Sequence, residues 1–151
     1  MPTRKQHTRS TTIAAILGLS LCSAVGSAQA AETSFLKDAM RGLNQKMQVI
    51  VDGLAREDYA QVEKTAAAIA THPKPPLQER MRIMGFVGTR MGEFKGYDDK
   101  THHAAETLAA AARRKDGRRA IEAFKELQTG CLECHQAFRQ DFVAHFGGKA
   151  K

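Results

Sequence analysis

Apolar side chains at Leu36, Met40, Leu43, Met47, Ile50 and Leu54 alternate spacings of four and three, with Lys37, Asp38, Arg41, Gln45, Lys46 and Asp52 between them. One apolar seam on an otherwise polar cylinder predicts a bundle helix over residues 35–55. Glu57-Asp58 ends the pattern and offers a cap for the next helix. Tyr59, Val62, Ala66 and Ile69 mark that second helix over 58–72, whose alanines at 66–68 admit close approach by a neighbour. Pro73, Pro75 and Pro76 end it, because proline disfavours helical geometry in the residue before it. Residues 77–97 read least clearly: Leu77 to Val87 accommodates a helical turn or two, while Gly85, Gly88, Gly92 and Gly96 weaken any long helix. Ala105, Leu108 and Ala112 predict a further helix over 98–114 with Asp98 or Asp99 as its cap, and Lys115-Asp116-Gly117 signals a turn. From 117 to 146, Ile121, Phe124, Leu127, Cys131, Cys134, His135, Phe138 and Phe142 recur every three or four residues, and Gly147-Gly148 closes the run. Four amphipathic helices with short connections predict an all-α fold, an antiparallel four-helix bundle.

The first thirty residues follow a different logic. Arg4, Lys5 and Arg9 precede a short apolar run from Ile13 to Val25, and Ala28-Gln29-Ala30 has the form of a cleavage site. This is the pattern of a secretory signal peptide, and the run falls short of the roughly 20 residues a spanning helix needs. The expectation is an exported, periplasmic protein, residues 31–151, with no stable membrane insertion. Cys22 would leave with the leader; a lipoprotein reading is poor, because the large Leu21 precedes it. The net charge of +7 over 151 residues falls to +4 once the three leader cations go. A mildly basic surface suits acidic redox partners, although ordinary surface charge is the better explanation on composition alone. No basic run interleaves with aromatics, so nucleic acid is not indicated.

Candidate chemistry concentrates on the last helix, in Cys131-Leu132-Glu133-Cys134-His135. Cys-x-x-Cys-His is the pattern of covalent c-type haem attachment. Two thiols one helical turn apart match the two vinyl groups of a porphyrin, and the adjacent histidine can reach the iron from the same side. Three other readings compete: a thioredoxin-like redox pair, half of a zinc site, or chance. Zinc needs about four ligands, and His72, His102, His103 and His145 show no matching second ligand pair along the sequence. A redox dithiol belongs near a βαβ pattern, and no strand-like alternation lies nearby. On periodicity the thiols and imidazole face the core, and Gly130 just before them lets a flat porphyrin approach the backbone.

The late motif on the last helix, followed by Phe138-Arg139, resembles the class II cytochromes c, which include cytochrome c′ and its low-spin, methionine-ligated relatives. The run Met40-x-x-Leu43-Asn44-x-x-x-x-Val49-Ile50 is similar to the first helix of the four-helix cytochrome b562. The resemblance implies a bundle enclosing one covalently bound haem c, with Cys131 and Cys134 as thioethers and His135 as proximal iron ligand. It implies Met40 as distal ligand, against a bland role in core packing, and Arg139 as a propionate contact, against a solvated helix residue. The proline- and glycine-rich middle departs from the family pattern. Met81, Met84 and Met91 invite thoughts of metal ligation there, but such flexible side chains more often fill a core or line a haem edge. His102 and His103 read as solvated, without a partner at i+4.

Two functions follow from the resemblance. A His/Met-ligated haem makes a one-electron carrier rather than an enzyme, serving periplasmic redox partner proteins as monomer or homodimer. A five-coordinate haem makes a cytochrome c′-like binder of nitric oxide or carbon monoxide, and Met40 discriminates between the two. A non-haem dithiol or metal-binding protein is the third class.

Overall fold

A computed structural model of the chain describes residues 35–147. The leader, its cleavage site and Cys22 lie outside the described residues. Helix α1 spans Phe35–Ala55, α2 Tyr59–Ala70, α3 Leu77–Val87, α4 Met91–Arg113 and α5 Gly117–Cys134; a π-helical segment, His135–Arg139, continues α5 into α6, Gln140–Phe146. No strand occurs among the described residues, and no helix among them is long and apolar enough to cross a membrane.

Four of these helices, α1, α2, α4 and α5, pack against one another. Helix α4 lies between α2 and α5, α1 rests chiefly on α2, and α1 meets α5 only marginally. Two tight turns make antiparallel hairpins of α1–α2 and α4–α5 by the same device. Glu57 (φ 56°) and Lys115 (φ 55°) reverse the chain in the left-handed region. Asp58 and Asp116 then accept the amide N–H of Gln61 and Arg119, each at 3.0 Å, satisfying an N–H that the new helix leaves unpaired. An ion pair between Arg113 and Glu63 at 2.8 Å ties the end of α4 to the start of α2, so these two helices also run antiparallel.

The middle of the chain corrects the expectation from its glycines. Residues 77–97 are helical almost throughout: α3 stops at Gly88, whose φ of 56° suits glycine, and a single 3₁₀ turn, Gly88–Arg90, leads into α4. Helix α4 begins at Met91, not 98, so Asp98 is an interior residue and no cap. Gly92 and Gly96 sit on an open face, where they cost only propensity. Met91, Phe94 and Tyr97 supply the packing that offsets it.

The core has two parts. The first joins Ile50, Val62, Ile69, Leu108 and Leu127 with a row of alanines, Ala104, Ala105, Ala109, Ala111 and Ala112, that brings α4 close to α2 and α5. The second joins Ile83, Val87, Phe138 and Phe142 with Leu36, Phe94, Tyr97 and Cys134. Some of its rings meet edge-on, Phe94 on Phe138 at 5.3 Å and Phe86 on Phe142 at 5.1 Å between centroids, and others stack, Phe94 on Phe142 at 5.5 Å.

Candidate functional site

The Cys-x-x-Cys-His stretch falls between the two cores. On the last helix Leu127 belongs to the first cluster and Phe138 to the second, and residues 131–135 lie between them. The first helix repeats the arrangement: Leu43 packs on the first cluster, Leu36 on the second, and Met40 sits between. Leu36, Leu43 and Met47 of its seam are partly buried against the cores, whereas Met40 is 41% exposed. The bland expectation for Met40, core packing, therefore lacks support. Met40 thus lies, along α1, between residues that pack on the two cores, as Cys131 lies between Leu127 and Phe138 along the last helix.

Both cysteines are free thiols and half-buried. Burial pushes the Cys131 thiol up from its ordinary range. Burial, then Cys131, then Asp98 push Cys134 up to about 11. Neutral thiols at pH 7 are the opposite of a redox dithiol, whose attacking cysteine works through a lowered pKa. His135 departs from the expectation that it faces the core, since it is exposed at the first position of the π-helical segment. Burial of part of its ring, and then the Arg139 guanidinium, hold its imidazole below the ordinary histidine range. The ring is thus neutral at pH 7, with a lone pair for a metal. The wider π turn rotates the residues after it relative to an unbroken α-helix, a distortion that recurs at functional sites. Arg139 is exposed at the end of this segment.

The neighbouring helix fixes this stretch. Gly130 is buried, and a Cβ there would stand 3.1 Å from Thr101 Oγ1 and 3.7 Å from Thr101 Cα. The glycine therefore serves the close approach of α4 and α5, not the approach of a porphyrin. Lys100 donates to Glu133 at 2.6 Å, a second tie between α4 and the motif. Leu132, 56% exposed, leaves an apolar side chain on the outer surface beside the cysteines. Of the three middle methionines only Met91 packs on a core; Met81 and Met84 are exposed, against the expectation for them.

Sequence reading missed one grouping. The ring nitrogens of His72 and His102 and a carboxylate oxygen of Asp98 lie within 4.8 Å of one another. Asp98 precedes His102 by one helical turn, so the partner stands at i−4 and not at i+4. His72 comes from the proline linker some thirty positions away, and no local spacing could announce it.

Comparison with known proteins adds no name: no family model, no curated protein and no solved structure matches this chain.

The residues present fit a covalently held haem. Two half-buried thiols lie one turn apart, a neutral imidazole comes directly after them, and an uncovered thioether lies on α1, a helix that barely touches theirs.

Proposed function

We propose that the chain is a periplasmic mono-haem c-type cytochrome of the class II kind, a one-electron carrier in which Cys131 and Cys134 hold the haem, His135 is the proximal iron ligand and Met40 the distal one. The observation that carries this reading is Met40. It is the seam residue of α1 left uncovered between two packed neighbours, Leu36 on one core and Leu43 on the other. Bound haem supplies reversible one-electron chemistry, and methionine/histidine ligation raises its potential.

The chain's own contributions are positional. Helix α5 presents the thiols on one face. Close packing at Gly130 and Thr101 and the Lys100–Glu133 pair hold α5 against α4 beside them. The aromatic cluster beneath Cys134 excludes water from one side of it. Arg139, one turn beyond His135, would offset a propionate.

The test is expression with a c-type maturation system, then pyridine haemochrome analysis and ferric and ferrous spectra with and without carbon monoxide. The expected result is acid–acetone-resistant haem with a low-spin ferric spectrum and a thioether charge-transfer band. Absence of covalent haem overturns the cytochrome reading. A high-spin protein open to carbon monoxide makes it a gas binder instead.

A further inference from the structure

The ends of α2 and of the first half of α4 converge on a group the haem reading does not use. His72 and His102 stack at 4.8 Å between ring centroids. Their Nε2 atoms face the same oxygen of Asp98, at 3.9 and 3.6 Å respectively. The far side of each ring decides what these atoms can be. His72 Nδ1 meets the carbonyl of Pro73 at 3.2 Å, and His102 Nδ1 meets the carbonyl of Ala70. A carbonyl oxygen only accepts, so each Nδ1 carries the proton, and in the neutral ring each Nε2 presents a bare lone pair. Two lone pairs and a carboxylate oxygen then converge with no hydrogen between them. A proton on one Nε2, a donating water or a metal cation relieves their mutual repulsion, and of these only a metal ion bonds all three atoms at once.

We propose that His72, Asp98 and His102 form a binding site for a divalent transition-metal ion of the zinc class. Imidazole and carboxylate bonds to zinc of about 2.0–2.1 Å place tetrahedral donors about 3.3 Å apart. The nitrogen–oxygen separations of 3.6 and 3.9 Å, and the nitrogen–nitrogen separation within 4.8 Å, would have to contract to that value by side-chain rotation. Histidine ligands characteristically donate their other ring N–H to a carbonyl or carboxylate, which fixes tautomer and orientation; here Pro73 and Ala70 already do so. Three protein ligands leave one position for water. The ion would clasp the proline linker to α4, where the chain leaves α2 without a tight turn.

The experiment is a calorimetric titration of tag-free, chelator-stripped protein with Zn²⁺ at pH 7.5. Cys131 and Cys134 are blocked throughout, by haem or, in haem-free protein, by alkylation. One ion per chain should bind with micromolar or tighter affinity and raise the melting temperature. His72→Ala, His102→Ala and Asp98→Asn should each weaken binding at least tenfold, and His103→Ala should leave it unchanged. No saturable binding below millimolar Zn²⁺, or binding indifferent to His72→Ala and His102→Ala, overturns the proposal. If a histidine variant loses helical circular dichroism, Cu²⁺ bound to the wild type decides the matter by electron paramagnetic resonance. Two-nitrogen superhyperfine structure supports the site, and any other nitrogen count refutes it. In haem-loaded protein, a change of the iron's ligand-field bands in His72→Ala or His102→Ala would assign the imidazoles to iron and refute a separate site.

Discussion

Cys134 carries the most perturbed side chain of the motif. Its thiol, pushed up to about 11 by burial and by its neighbours Cys131 and Asp98, is protonated at neutral pH. In haem-free protein, alkylation of Cys134 should therefore run slower than that of a free cysteine at pH 8 and accelerate only as the pH approaches 11. A thiol-labelling time course read by mass spectrometry measures this, and fast labelling at pH 7 would favour the redox-dithiol reading. Met40→Ala makes a second test at this scale. Met40 is not a core residue, so its loss should leave the unfolding midpoint of haem-free protein nearly unchanged, while in haem-loaded protein it abolishes the thioether band and lowers the haem potential. A Leu127→Ala change, from a fully buried position one turn before Cys131, should instead cost about 2–5 kcal/mol in denaturant melts.

At the scale of elements, the hairpins rest on single aspartates. Asp116→Ala removes the acceptor for the Arg119 amide and should destabilise the fold by about 1 kcal/mol. Lys115→Gly relieves a left-handed residue and should stabilise it by about 1 kcal/mol. Urea melts of both variants check the pair of opposite signs. These turns were legible in the amino-acid sequence because Glu57-Asp58 and Lys115-Asp116-Gly117 interrupt strong three-four seams. The same seams placed α1 and the run α5–α6 with little error. The start of α4 was not legible, since Gly92 and Gly96 count as helix breakers unless one knows that Met91, Phe94 and Tyr97 pack on Phe138 and its neighbours. Within the candidate site, the pentapeptide was plain from local spacing. The exposure of His135 was not, because one residue past Cys134 is about 100° further round the helix, on the flank of the Leu127–Cys131–Cys134–Phe138 stripe and not at its centre. Gly130 was noticed for the right property, its missing side chain, but its neighbour proved to be Thr101. Gly130→Val should wedge α4 from α5 at a cost of about 1–3 kcal/mol.

The whole molecule is less evenly knit than a symmetric bundle. The alanine row of α4 locks α2 and α5 to it, and Gly53 lets α1 approach α2 so closely that a Cβ there would stand 2.9 Å from Val62. Nothing comparable joins α1 to α5 among the described residues. Among the described residues α2, α4 and α5 thus form a closely packed block on which α1 rests along one edge, an arrangement with a consequence in time as well as in space. Amides in the first half of α1 should exchange with deuterium well before those of α4 in haem-free protein, and should slow once a ligand bridges the open edge. A flat, rigid guest could then slip in sideways and be stitched to α5 while α1 still swings. Closing the door would come last, with Met40 as the latch.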